Sequence, residues 1–239
     1  MSKRLAMAAG MALMAFGLSL PPGTAHAAQL QVRPVGIQLT APAAASKLVL
    51  TNRGRTPISA QVRIFQWTQK SGRDALVRTR AVVASPPLLK MRPGREHIVR
   101  VVRLSKAPVR GEESYRLLVD EIPQAKLKGS GVIFALRYSI PVFFTAPDAT
   151  PPRVSWSATA RRGRLVLTAS NAGQRHDKIS RLRVVVNGHT RTLFRGLAGY
   201  VLGGTGRVWT TKLPARRGAT IIIKGQGLNG PFAAKVRVR

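Results

Sequence analysis

The sequence predicts an all-β protein built as two sandwiches in tandem. Three observations carry that prediction. Apolar and polar residues alternate over short runs bounded by Gly, Pro, Asn and Ser, the pattern of half-buried antiparallel strands. Helical periodicity is hard to find. The alternation stops at a proline-rich stretch and then restarts.

In chain order, Met-Ser-Lys-Arg leads into an apolar run from Leu5 to Leu20, a break at Pro21-Pro22-Gly23, and the small-residue pattern Ala25-His26-Ala27. This reads as a secretory signal peptide over 1–27, with cleavage after Ala27, or after Ala28 as the alternative. The run is shorter than the ~20 apolar residues of a spanning helix. The expected compartment is the bacterial periplasm. The first domain, 28–146, carries strand patterns at 30–35, 47–52, 59–69, 82–85, 97–104, 114–121 and 132–144. The linker, 147–152, lies in the sequence TAPDATPP, which has three prolines and little to bury. The second domain, 153–239, carries patterns at 153–159, 164–171, 179–186, 190–193, 207–212, 219–224 and 233–238. Asn171-Ala-Gly, Asn187-Gly188 and Gly203-Gly204 supply turns between them. Two sets of about seven short strands argue for two immunoglobulin-like β-sandwiches. Trp156, Leu165, Leu167, Val184, Val186, Trp209 and Ile222 are the expected core of the second.

Composition excludes several classes. There is no cysteine, so neither disulfides nor thiolate metal sites are available. His97, His176 and His189 sit in no metal-ligand spacing, and neither a nucleophile elbow nor a phosphate loop is present. No catalytic residue, metal or other cofactor is expected. The formal charge of +32 falls to +30 once Lys3 and Arg4 leave with the signal peptide. A basic sandwich of this kind suits an acidic polymer, nucleic acid or envelope polysaccharide. The arginines are spread along the chain and aromatics are only 5%, which argues against specific nucleic-acid recognition.

The stretch 132–144 is the longest strand candidate. Val132, Phe134, Leu136, Tyr138 and Ile140 share one face, and Ile133, Ala135, Arg137 and Ser139 share the other. Such a row either fills its own core or fills successive pockets in a partner's incomplete sandwich by strand addition. Pro141 marks the strand as an edge, because proline cannot donate to a ladder. A sticky free edge also raises a self-capping dimer as a partner state.

The first domain carries, in order, Ala84-Ser85-Pro86-Pro87-Leu88, Arg92-Pro93-Gly94, Ile98-Val99-Arg100-Val101-Val102, then Glu113-Ser114-Tyr115-Arg116-Leu117 leading to Asp120-Glu121-Ile122-Pro123. On these motifs most of the mature chain resembles the periplasmic chaperones of the chaperone-usher pathway. The wording RIFQW at 63–67 and LRYSIPVFF at 136–144 is most similar to the archaic, or alternative, branch. The resemblance implies a boomerang of two immunoglobulin-like domains that stabilises pilus or fimbrial subunits and delivers them to an outer-membrane usher. It implies donor side chains at Val132, Phe134 and Leu136, continued by Tyr138 and Ile140. It also implies a basic anchor for the subunit's C-terminal carboxylate, matched by Arg33. The family's lysine position is occupied by Pro141, leaving Arg137 or the Tyr138 hydroxyl as stand-ins. Arg100 and Glu113 are candidates for structural ion pairs near the domain interface.

Overall fold

The structure, a computed structural model, describes residues 30–122 and 135–239, and every regular element in them is a strand. Ten strands come first: β1 (Leu30–Arg33), β2 (Ile37–Thr40), β3 (Ala45–Asn52), β4 (Ile58–Lys70), β5 (Arg73–Arg78), β6 (Val82–Ser85), β7 (Leu88–Met91), β8 (Glu96–Arg103), β9 (Glu112–Ile122) and β10 (Arg137–Thr145). They form one sheet ordered β1-β3-β8-β6 and a second ordered β2-β10-β9-β4-β5, with β7 also on β4. Eight more follow: β11 (Val154–Arg161), β12 (Arg164–Asn171), β13 (Asp177–Val186), β14 (His189–Thr192), β15 (Leu197–Val201), β16 (Gly206–Pro214), β17 (Thr220–Gly227) and β18 (Gly230–Arg237). These make the sheets β11-β12-β16 and β14-β13-β17-β18, with β15 on β13.

Alternation found the long strands because each has one face in a core. Leu48, Leu50, Val99, Val101, Leu117, Val119, Val142 and Phe144 interdigitate in the first half; Leu165, Leu167, Leu182, Val184, Trp209 and Ile223 do so in the second. Four strands escaped it. β5 is exposed on both faces, β2 and β7 have four residues each, and β15 reads LAGYV with Gly199 at φ 145°. One core expectation is corrected. Ile222 points outward, and Ile221 and Ile223 fill the core instead, a one-residue difference that turns a strand over. Trp156 and Val186 pack against that core from its margin.

Each half has a buried asparagine at the end of a long strand, Asn52 on β3 and Asn171 on β12. Asn52 donates to Thr56 O and Met91 O and accepts from Gly54 N; Asn171 donates to Arg175 O and Val201 O and accepts from Gly173 N and Arg153 N. The shared Asn-x-Gly lets the amide side chain stand in for backbone in the turn. The segment between Thr145 and Val154 is tied down rather than loose: Ala146 and Ala149 are buried, and Thr150 O accepts from Gln174 N and Arg175 N.

Candidate functional site

β10 has two different ends. Ala146 N donates to Gly111 O and Glu121 N donates to Leu136 O, so even-numbered residues bond β9; Thr145 O accepts from Ala41 N, so odd-numbered ones face β2. β2 runs parallel to β10 and pairs only from Val142 to Thr145. Below that point the next group facing β2 is the nitrogen of Pro141, which has no hydrogen to donate. The ladder stops there. From Arg137 to Pro141, β10 pairs β9 alone among the described residues, leaving a short open edge beside a fully paired half.

The core-facing row shows the same gradient. Phe144, Val142 and Ile140 are fully buried in the first core, whereas Tyr138 and Leu136 only pack against it. Ile140 is thus part of the protein's own first core. Tyr138 is committed too, its hydroxyl donating to Leu30 O on β1. Val132 and Phe134 lie outside the described residues.

On the opposite face, Phe143 is buried by the second half of the chain. His176 stacks flat on it with ring centres 3.6 Å apart, and Trp67 and Tyr200 meet edge to face beside it. Leu202 completes this small cluster. Arg116 lies over Trp67 at 3.7 Å, a cation–π contact, and burial lowers its pKa. Gln69 bridges the halves. Its Nε2 donates to Tyr200 O and Asp74 Oδ1, and its Oε1 accepts from Leu202 N and Thr205 Oγ1. Asp74 also pairs with Arg207 and accepts from Trp67 Nε1. Burial alone would raise its pKa, but donation from Gln69, Arg207 and Trp67, with the Arg207 charge, holds it below the carboxylate's ordinary value. Glu112 Oε1 accepts from both His176 N and Nδ1 at 2.8 Å, a pair almost without solvent contact. Sequence reading gave none of these positions, because each acts across a fold contact that spacing does not encode.

The expected basic residues are already engaged. Arg33 pairs with Glu96 at 3.2 Å, both side chains more than half exposed, and Arg137 pairs with Asp120, which Arg63 also reaches. Donation from Arg137 and Arg63 outweighs the opposing effect of desolvation and lowers the Asp120 pKa. Glu113 pairs with Arg103 and not with Arg100, in a bidentate contact at 2.7 and 2.8 Å. Strand parity is the reason: Val99, Val101 and Arg103 share the inner face of β8, and Arg100 is exposed on the outer one. Hydrogen bonding from Arg103 lowers the Glu113 pKa against the effect of burial. The described residues hold no cluster of three or more His, Asp or Glu arranged for a metal.

A sheet-switching first segment, β1 to β2, clasps one half of β10 and leaves the other open. Residues 29–151 match the family model for the pili and flagellar-assembly chaperone, PapD N-terminal domain. The chain belongs to that chaperone family. Solved chaperones share the whole fold. The CsuC–CsuE chaperone–tip adhesion subunit pre-assembly complex from the archaic Csu pili of Acinetobacter baumannii is similar at 24% identity, covering 89% of this chain and 100% of that one, with a TM-score of 0.69. The SafB chaperone with SafA pilin from Salmonella enterica gives 16%, 85%, 94% and 0.60, and the E. coli chaperone DraB gives 17%, 88%, 97% and 0.57. No curated protein sequence matches the chain. Trp67, Gln69 and Phe143 of this chaperone lie on the strands that the family model covers; their partners Tyr200, Leu202 and Thr205 lie beyond it.

Proposed function

We propose that the protein is a periplasmic chaperone that lends the row Val132, Phe134 and Leu136 to pilus subunits by strand addition and passes them to an outer-membrane usher. The observation that carries this reading is the open edge from Arg137 to Pro141, at which the apolar row leaves its own core through Leu136. An incoming sandwich lacking one strand gains main-chain hydrogen bonds along that edge and fills its groove with the continuing side chains. The process makes and breaks no covalent bond, so the chain acts without catalysis.

Arg33 and Arg137 serve in this reading as carboxylate anchors, with Glu96 and Asp120 holding their guanidinium groups until a subunit's C-terminal carboxylate arrives. An ion pair as exposed as Arg33–Glu96 contributes about 0 to 1 kcal/mol, so exchanging its carboxylate costs little. The test is co-purification from periplasm of the wild type and a Phe134→Arg, Leu136→Arg variant with the subunits they carry. Loss of a small β-rich subunit from a folded variant supports strand lending. Retention of the subunit by that variant would sink it.

A further inference from the structure

β18 is the last strand of its sheet, and its two sides are unlike. Val238 N donates to Ala219 O, so even-numbered residues bond toward β17; Arg239 N donates to Ala158 O and its carbonyl accepts from Ala160 N, so odd-numbered ones point toward β11. The two strands touch only at that end, through the Ala158–Val238 bridge. From Gly230 to Arg237, β18 pairs β17 alone among the described residues. The outward N–H and C=O groups of Ala233, Lys235 and Arg237 therefore have no ladder partner, and Pro231, which lacks a hydrogen to donate, ends the run.

Side chains beside this edge divide by chemistry. On the outer face of the sheet Lys235 and Arg237 are exposed, and Lys224 and Arg183 lie exposed on that same face, since Lys224 pairs both Ala233 and Arg183. None of the four belongs to an ion pair among the described residues; Arg237 Nε donates to Gly218 O, a neutral partner. Asp177, the only acidic side chain from Arg153 to Arg239, instead accepts from the N–H groups of Lys178 and Leu228. On the inner face Phe232, Ala234 and Val236 are half-buried, and Trp156 of β11 stacks on Phe232 with ring centres 5.3 Å apart. The fork between β11 and β18 holds a cavity of about 570 Å³, lined by Trp156 and Ser157 on one side and by Val236 and Arg237 on the other. A second copy of β18 would set Lys235 and Arg237 against themselves, so the edge turns away its own kind. A strand with a carboxylate at every second position is drawn to the cations, and the apolar residues between those carboxylates enter the fork.

We propose that β18 takes on an extended acidic segment of a partner protein as an added strand, its Asp or Glu residues beside Lys235 and Arg237 and its alternating apolar residues against Trp156 and Val236. This berth lies on the second domain, apart from the edge of β10, and goes beyond subunit lending. The probe is a labelled synthetic peptide alternating glutamate with valine, its binding to the purified protein followed by fluorescence anisotropy and its position by amide hydrogen exchange. One control peptide groups the same residues into a glutamate block and a valine block, and another alternates lysine with valine. The alternating acidic peptide binds and slows exchange at Ala233 and Lys235, and both controls lose most of that binding. Ala233→Pro removes one outward N–H and none that bonds β17, so binding falls by about two- to tenfold. Lys235→Glu with Arg237→Glu loses the acidic peptide and gains the lysine–valine one. Both variants keep subunit capture, which shows that they fold. Equal binding of the block peptide identifies plain attraction to polyanions and overturns the proposal. So does protection confined to β10, or an Ala233→Pro variant that binds as the wild type does.

Discussion

At the scale of single residues, the decisive positions are polar groups buried with all their partners. Gln69 is the clearest, since one amide serves Tyr200 O, Leu202 N and Thr205 Oγ1 across the junction. Truncation strands those groups away from water. Gln69→Ala is therefore expected to cost about 2 to 3 kcal/mol and to lower the melting temperature by about 4 to 12 °C in calorimetry; an unchanged value would mean that water replaces the amide. The carboxylates give a pH signature. Asp74 and Glu113 have folded pKa values below their ordinary 3.8 and 4.5. Their stabilisation is fully present above those ordinary values and is lost as pH falls through the folded ones. Melting temperature should hold from neutral pH to about 5 and fall steeply below about 4. Asp74→Asn should start lower and fall less. A fall as steep as in the wild type would remove Asp74 from the account.

At the scale of elements, β10 divides between internal and external duty, which gives a contrast between neighbours on one face. Ile140→Ala opens a cavity in the first core and should cost about 2 to 5 kcal/mol. Leu136→Ala, at the margin, should change the melting temperature little but weaken subunit capture. Equal destabilisation by both would show that the row is purely structural. This division also marks what sequence could reveal. The period of two located β10 and its core-facing row because alternation is a local property. Where the row passes from core to edge depends on β2, four residues whose pairing register no local pattern announces. Likewise the Asn-x-Gly turns were legible as turns, while the burial of Asn52 and Asn171 was not. Arg103 could have been chosen over Arg100 as the partner of Glu113, since the parity of Val99 and Val101 places it on the inner face.

At the scale of the whole molecule, excess charge and the domain junction oppose each other. A formal charge of +32 repels itself throughout, and the few acids are largely spent on ion pairs and backbone amides. Salt screens this repulsion over distances of about 10 Å at 0.1 M. Melting temperature should therefore rise between about 20 and about 300 mM salt; a fall would mean that the ion pairs, Arg207–Asp74 among them, outweigh the repulsion. The junction resists through packing as well as charge. Gly72, at φ 75°, lets the β4–β5 hairpin touch β16, where an added Cβ would come within 2.3 Å of Val208. Finally, the nitrogen of Pro141 does more than end the β2 ladder. If a guest strand lies along the open half of β10, its own ladder meets the same missing hydrogen from the other direction. One proline then works as a doorstop between resident and visitor: it keeps β2 from sealing the berth and fixes how far a guest can slide in.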